Sequence, residues 1–174
     1  MVDRLADGSA AVQIARIGLS GGQPRGLACA SGCAFCCILP GDDGALITEA
    51  EARVLHAALA PLAGQPDGRA WHDRACPALD PETRACRAYD ARPTICRAYV
   101  STDADACAQV AEGTPAPGPG TLGPWHDYLA ALGITRAALK GARRVPTYAL
   151  ARLAAAAIDG APLDAALRAA RHKP

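Results

Sequence analysis

The sequence predicts an α-rich fold with a short β-hairpin, in which an irregular cysteine-rich core is joined to a C-terminal helical subdomain. Three observations support this class. Apolar residues recur at helical spacing after Thr48, turn-forming residues interrupt residues 76–89, and the alanine-rich chain beyond residue 123 carries several helix-start signals. The 174 residues are enough to bury a core, although the many alanines make it thin.

The N-terminal half contains two predicted elements. Residues 9–20 alternate partly between apolar and polar side chains, which predicts a short strand followed by a glycine-rich turn. A helix is predicted from Thr48 to Leu62, because Thr48 stands three residues before Glu51 in a capping-box pattern. The apolar face of this helix is formed by Val54, Leu55, Ala58, Leu59 and Leu62.

A hairpin and a further helix are predicted in the middle of the chain. Residues 76–89 read as two brief extended arms, and Asp80 and Pro81 supply the turn between them. Residues 92–97 predict the start of a helix, since proline at position 93 is tolerated in a first helical turn.

The chain divides by composition into a cysteine-rich domain (1–112), a linker (113–123) and a helical segment (124–174). Four glycines and three prolines in the linker predict that no regular element occupies it. Four helices are predicted beyond it: Trp125 to Leu132, Arg136 to Arg144 capped by Thr135, one from Pro146 or Thr147 through Ile158, and one opened by Pro162.

The charge and the hydropathy pattern exclude several classes of function. A net charge of +1 gives no field that would draw the protein to nucleic acid or to an anionic membrane. The acidic opening residues are unlike a signal peptide, and no apolar run approaches the roughly 20 residues that span a bilayer. We therefore expect a cytoplasmic protein, with no nucleic-acid or membrane partner.

The eight cysteines are the most informative residues, because a reducing compartment makes disulfides rare. An even number of cysteines then indicates metal binding, with reactive thiols as an alternative and disulfides expected only if the protein is exported. Single buried cysteines also occur as small apolar side chains, but eight of them favour metal. The candidate ligands are Cys29, Cys33, Cys36, Cys37, Cys76, Cys86, Cys96 and Cys107.

The first four cysteines lie within residues 29–37. The C-x-x-C spacing of Cys33 and Cys36 lets two thiolates turn back on one ion, and Cys29, Cys33 and Cys36 also suit three corners of an iron–sulfur cubane. Adjacent Cys36 and Cys37 do not easily chelate one ion, because successive side chains diverge. One of the two is expected to serve a second site, bridge two sites or remain free.

The last four cysteines are separated by ten, ten and eleven residues, so only tertiary folding can bring them together. Eight thiolates match two closed four-coordinate zinc sites, or one 4Fe–4S cluster with four cysteines left over. The sequence does not distinguish zinc from iron, and it does not indicate which cysteines share a site.

Arginines and histidines near the cysteines are weaker candidates. Arg92 and Arg97 bracket Cys96, where guanidinium groups would offset thiolate charge and lower thiol pKa values, although arginines also simply face water. His72 and His126 are possible ligands, whereas His56 and His172 are expected to be ordinary core or surface residues.

The full pattern resembles the zinc- or iron-chelating cysteine-cluster family often called YkgJ-like. The resemblance rests on the cluster of residues 29–37, on C-P-x-L from Cys76 to Leu79, and on C-x-x-Y-x-x-R-P-x-x-C-R from Cys86 to Arg97. It covers residues 29–107 and implies a metal-binding core that takes zinc or iron, without implying a defined biochemical role.

One departure from that pattern is the gap of three residues between Cys29 and Cys33. The C-x-x-x-C-x-x-C triad, with Phe35 before Cys36, resembles that of radical enzymes that use S-adenosylmethionine. Those enzymes have an alternating strand and helix barrel, which this sequence does not predict.

Two hypotheses of function follow, and the sequence does not identify a protein partner for either. In the first, a closed thiolate site contributes folding energy or stores metal. In the second, an iron–sulfur cluster transfers electrons or supports an oxidoreductase or a modifying enzyme. Metal delivery to another protein is a third hypothesis.

Overall fold

The computed structural model describes residues 1–22, 24–39, 41 and 43–173. Within them the chain is α-rich, as the sequence predicts, and contains eight α-helices and two small antiparallel sheets. The helices are α1 Val2–Ala6, α2 Ser9–Leu19, α3 Glu49–Leu59, α4 Thr94–Ala98, α5 Ala104–Ala111, α6 Gly123–Ala138, α7 Leu150–Ile158 and α8 Leu163–Ala170. Short 3-10 helices cover Phe35–Cys37, Ala60–Leu62, Gly68–Ala70 and Tyr89–Ala91.

Each sheet has two strands. Strand β1 (Leu46–Thr48) pairs antiparallel with β4 (Thr147–Ala149), in register Ile47 to Tyr148. Strand β2 (Tyr99–Val100) pairs antiparallel with β3 (Gly120–Thr121). The first sheet joins the N-terminal half of the chain to its C-terminal segment, and the second joins the end of α4 to residues expected to be a bare linker.

The predicted start of the helix at Thr48 is confirmed. The Thr48 hydroxyl accepts from the Glu51 N–H at 3.3 Å and the Glu51 carboxylate accepts from the Thr48 N–H at 3.0 Å, which completes the capping box. Leu55 and Leu59 are buried, whereas Val54 is 48% exposed and lies outside the apolar face assigned to it. The last turn, through Leu62, is a 3-10 helix.

The strand predicted at residues 9–20 is wrong, because this segment is helix α2. Ala11, Val12 and Ala15 are buried on one side of the helix. They pack against Tyr128 and Leu132 of α6. Because one side of the segment is buried against another helix, helical spacing of its apolar residues is favoured over the strand-like alternation seen in the sequence.

Three expectations for the C-terminal half also need correction. Thr135 is a buried residue inside α6 and does not cap a new helix. Thr147 begins β4 instead of a helix, since its strand finds a partner in β1. Residues 120 and 121 form β3, so a regular element does occupy part of the glycine- and proline-rich segment. Pro162 precedes α8 as predicted.

Two clusters of buried side chains form the interior. The main core gathers α3, α7, α8 and β4 around Leu59, Leu79, Leu153 and Ile158, and Cys76 belongs to it. The second core lies between α1, α2 and α6. Among the described helices, none has the length and apolar character required to cross a bilayer.

Candidate metal centre

Cys36 and Cys37 are held on the 3-10 helix of residues 35–37. The helix is followed by an antiparallel bridge between Ile38 and Ala75. The Cys76 N–H donates to the Cys37 carbonyl oxygen at 2.8 Å. This pairing sets the first cysteine segment directly beside the start of the second.

Cys76 and Cys86 lie on the two arms of the predicted hairpin, which is confirmed as a short bridge between Leu79 and Cys86. Its turn is stabilised by the Asp80 carboxylate, which accepts from the Thr83 N–H at 2.8 Å and from the Glu82 N–H at 3.2 Å. The hairpin therefore brings two cysteines ten residues apart in sequence to neighbouring positions.

Cys96 lies on α4, whose position depends on a buried carboxylate. Glu51 of α3 accepts from the Thr94 N–H at 2.7 Å, at the first residue of α4. We name Cys76, Cys86 and Cys96 the inner group. Cys76 is part of the main core at 8% exposure, and Cys86 and Cys96 pack against that core.

Cys29, Cys33 and Cys107 form a separate set, which we name the outer group. The Cys29 thiol and the Ala28 N–H both donate to the Ser101 carbonyl oxygen, at 3.8 and 2.8 Å. The Asp103 side chain caps α5, which carries Cys107 and packs against the 3-10 helix of residues 35–37. Ser101 thus anchors the start of the first cysteine segment close to α5.

Cys36 has a thiol poised to ionise. A hydrogen bond with the Cys37 thiol lowers the pKa of Cys36 to about 7, burial opposes this, and the Arg92 guanidinium adds to the lowering. The same hydrogen bond, together with burial and the charges of Cys36, Cys76 and Cys96, raises the pKa of Cys37. The two adjacent thiols therefore differ sharply in acidity.

The inner group consists of thiols that retain their protons. Burial raises the pKa of Cys76 to about 12, and the charges of Cys86 and Cys36 act in the same direction. Burial likewise raises the pKa of Cys96, with added repulsion from Cys76, Cys86 and Cys36. Each ionised thiol thus disfavours the ionisation of the others, and Cys36 lies within electrostatic reach of the inner group.

The outer group is coupled in the same way. Burial raises the pKa of Cys107, a hydrogen bond from Ser101 opposes it, and the charges of Cys33, Cys36 and Cys29 raise it further. Cys36 therefore lies within electrostatic reach of both groups.

The donor set suits zinc or iron, since soft thiolates that repel one another are stabilised by a cation between them. Within the described residues, however, no three His, Cys, Asp or Glu side chains have the arrangement of a finished metal site. Coordination of one ion by either group therefore requires changes of cysteine rotamer within the region that the backbone already defines.

The two arginines singled out in the sequence have different positions. The Arg92 charge helps to lower the pKa of Cys36, and it only partly opposes the rise that burial causes in the pKa of Cys86 and Cys96. The Arg92 guanidinium lies 3.6 Å from the centre of the Tyr89 ring. Arg97 instead donates to the carbonyl oxygens of Arg92 and Asp90. Arg97 thus braces the loop that carries Arg92 and Pro93.

The histidines have other partners. His56 is buried and its Nε2 lies 2.9 Å from the Ala161 carbonyl oxygen. The Nδ1 of His72 contacts Asp73 and the Arg74 N–H. His126 is exposed on α6, and His172 lies near Asp43. These positions favour the thiols over imidazole as ligands.

Two positioning residues were not identified from the sequence. Glu51 was recognised as part of a capping box, but its contact with Thr94 links positions 43 residues apart. Ser101 had no local signal at all, because it acts through its backbone carbonyl. Contacts of this kind depend on tertiary folding and leave no mark in residue spacing.

Comparison with known proteins gives one match. Residues 28–113 match the CxxCxxCC family model, described as "Putative zinc- or iron-chelating domain". The matched span contains all eight cysteines. Neither the curated proteins nor the solved structures provide a significant match.

Proposed function

Because the chain belongs to the CxxCxxCC family of zinc- or iron-chelating domains, we propose that it holds zinc or iron through the thiolates of its eight cysteines. The observation that carries the proposal is that Cys37, Cys86 and Cys96 pack against the main core that contains Cys76, whose N–H donates to the Cys37 carbonyl oxygen. These thiols come from separate segments of the chain, and a cation is the natural partner of such a set.

The proposed role is that of a closed thiolate site that contributes folding energy or stores metal. Burial of Cys76 and the packing of Cys86 and Cys96 against the main core support this role. A structural zinc site is closed by four protein ligands, whereas a catalytic one keeps a position for water or substrate. Metal would replace the thiol protons, so binding is expected to release protons and to stabilise the fold.

An iron–sulfur protein with a redox or enzyme-supporting role is the second candidate. The observation that favours it is the position of the triad Cys29, Cys33 and Cys36, of which Cys29 and Cys36 are exposed. A cluster held by this triad would lie near the surface, where electron exchange with a partner is rapid. Arg92 would offset part of the negative charge of its thiolates.

Anaerobic purification followed by metal analysis, sulfide assay and a visible spectrum tests the proposal. Zinc or iron near a simple ratio to protein is the expected result, and acid-labile sulfide with a brown colour selects the second candidate. A chain that contains neither metal, and that takes up neither when the reduced protein is incubated with zinc or ferrous ions, would refute the proposal.

A matched pair of variants assigns the metal to the thiols. Cys86→Ser should lower the bound metal, because the hydroxyl of serine is a poor ligand for zinc or iron. His126→Ala removes a potential ligand whose side chain is exposed on α6, and it should leave the metal content unchanged. Equal metal content in the two variants would contradict thiolate ligation.

A further inference from the structure

We propose that the eight cysteines form two four-thiolate sites of unequal accessibility, an inner site of Cys37, Cys76, Cys86 and Cys96 and an outer site of Cys29, Cys33, Cys36 and Cys107. This inference rests on the proposed function. It adds the number of ions, the ligands of each and the order in which they exchange.

The inner site follows from backbone pairing and from the core. The Cys76 N–H bonds to the Cys37 carbonyl, and Cys86 lies in the bridge that closes the hairpin begun at Cys76. Cys37, Cys86 and Cys96 all pack against the main core that contains Cys76. Four thiols of one buried neighbourhood therefore come from three backbone segments that are tied together by hydrogen bonds or packing.

The outer site follows from Ser101 and α5. The Ser101 carbonyl oxygen accepts hydrogen bonds from the Cys29 thiol and from the Ala28 N–H. Ser101 itself lies two residues before Asp103, whose side chain caps α5. Cys107 lies on that helix, which packs against the 3-10 helix of residues 35–37 that carries Cys36. The main core does not include any of these three thiols.

The adjacent pair Cys36 and Cys37 divides between the sites. Cys37 packs against the main core, and its carbonyl oxygen accepts from the Cys76 N–H. Cys36 is exposed, is not packed on the main core, and lies on the 3-10 helix that contacts α5, the helix that carries Cys107. Since adjacent side chains diverge, the assignment of Cys37 inward and Cys36 outward completes four thiols on each side.

The two sites differ in access to solvent. Two of the four outer thiols, Cys29 and Cys36, are exposed, although Cys107 is buried. None of the four inner thiols is exposed, since Cys76 is buried and the other three are half-buried against the core. A chelator has to reach a metal ion to remove it, so the outer ion should leave first. The inner ion should be lost only when the hairpin and α4 open.

The stoichiometry is tested by adding cobalt(II) to the reduced, metal-free chain and following the thiolate-to-cobalt absorption. Two equivalents are expected for the wild type, and one each for the triple variants Cys29→Ser/Cys33→Ser/Cys107→Ser and Cys76→Ser/Cys86→Ser/Cys96→Ser. Binding of no metal would refute the proposed function itself. Saturation of the wild type at one equivalent would leave that function standing and overturn the two-site inference.

A second measurement uses only the wild-type protein, so it does not depend on the folding of any variant. The zinc-loaded wild type is exposed to a chelator and a maleimide, and the modified cysteines are identified by mass spectrometry over time. The four outer thiols should be modified together, with Cys36 among them, while Cys37 remains protected with the inner thiols. Simultaneous modification of Cys36 and Cys37, or of all eight cysteines, would overturn the assignment.

Discussion

The hydroxyl of Tyr128 donates a hydrogen bond of 2.7 Å to the Glu51 carboxylate, and the two residues are 1% and 7% exposed. The same carboxylate accepts from the backbone N–H of Thr48 and of Thr94. Glu51 therefore joins α6 of the C-terminal segment to α3 and to the start of α4, two residues before Cys96. The Glu51 carboxylate therefore contributes both to the stability of the fold and to the position of Cys96, a candidate ligand.

Removal of the Tyr128 hydroxyl should destabilise the protein. Tyr128→Phe leaves a buried carboxylate short of one donor, and the expected loss is about 1–3 kcal/mol in the free energy of unfolding. Urea denaturation of the metal-free chain measures it. Tyr148→Phe is the matched control, because its hydroxyl makes a longer contact of 3.4 Å with Glu49 and should cost less than about 1 kcal/mol. Equal losses would show that Glu51 does not depend on Tyr128.

The same tyrosine predicts a loss of stability at high pH. Burial, the charge of Glu51 and the hydrogen bond to it raise the pKa of Tyr128 above its ordinary 10.0. Above about pH 10 the unfolded chain releases this proton while the folded chain retains it, so stability falls as pH rises, by up to about 1.4 kcal/mol per pH unit. Tyr128→Phe lacks this contribution, and its stability should fall less steeply from about pH 10 to 11. Parallel curves would contradict the prediction.

An ion-pair chain links the cysteine-rich segment to α7. Asp67 is buried and accepts from the Arg69 backbone N–H and guanidinium at 2.8 and 2.7 Å, and Arg69 also donates to Asp159. Burial opposes the charge of Asp67, but the hydrogen bonds from Arg69 hold its pKa below the ordinary 3.8. The stabilisation is thus complete above about pH 4 and is lost as pH falls through the lowered pKa.

Asp67→Asn should therefore reduce stability at neutral pH by about 1–3 kcal/mol and make the protein less sensitive to further acidification. Asp159→Asn serves as the control, because the Asp159 side chain is 58% exposed and its pair with Arg69 should be worth about 1 kcal/mol or less. Denaturation at neutral pH and at about pH 3 separates the variants. An Asp67→Asn protein with an unchanged acid response would count against this account.

Gly68 allows the backbone of Cys76 to approach closely. A Cβ at this position would lie 2.3 Å from the Cys76 carbonyl oxygen, so Gly68→Ala has to displace the first inner cysteine. We expect a stability loss of about 1–3 kcal/mol and a lower metal content. Gly133→Ala is the opposite case, because Gly133 lies inside α6 with no heavy atom within 4 Å of an added Cβ, and it should gain about 0.5–1 kcal/mol. Thermal unfolding and metal analysis of both variants check this contrast.

Local signals predicted the elements that depend on neighbouring residues. The capping box of Thr48 and Glu51, the Asp80 turn and Pro162 before α8 all act within a few residues, and the structure contains each of them. Elements that depend on distant partners were missed. Residues 147–149 are a strand only because Leu46–Thr48 lies beside them, and residues 9–19 are helical because one face packs on α6.

The sequence alone determined the donor set, since eight thiols in this spacing suit zinc or iron and lie in the span that matches the CxxCxxCC family model. Tertiary structure decided which sulfurs are neighbours. Cysteines ten or eleven residues apart have no preferred separation in an unfolded chain. The Ile38–Ala75 and Leu79–Cys86 bridges, the Ser101 carbonyl and the Glu51–Thr94 contact position the segments that carry them. Chain spacing specifies ligands only within a single turn, whereas ligands from separate segments are positioned by the packing and hydrogen bonding of the segments that carry them.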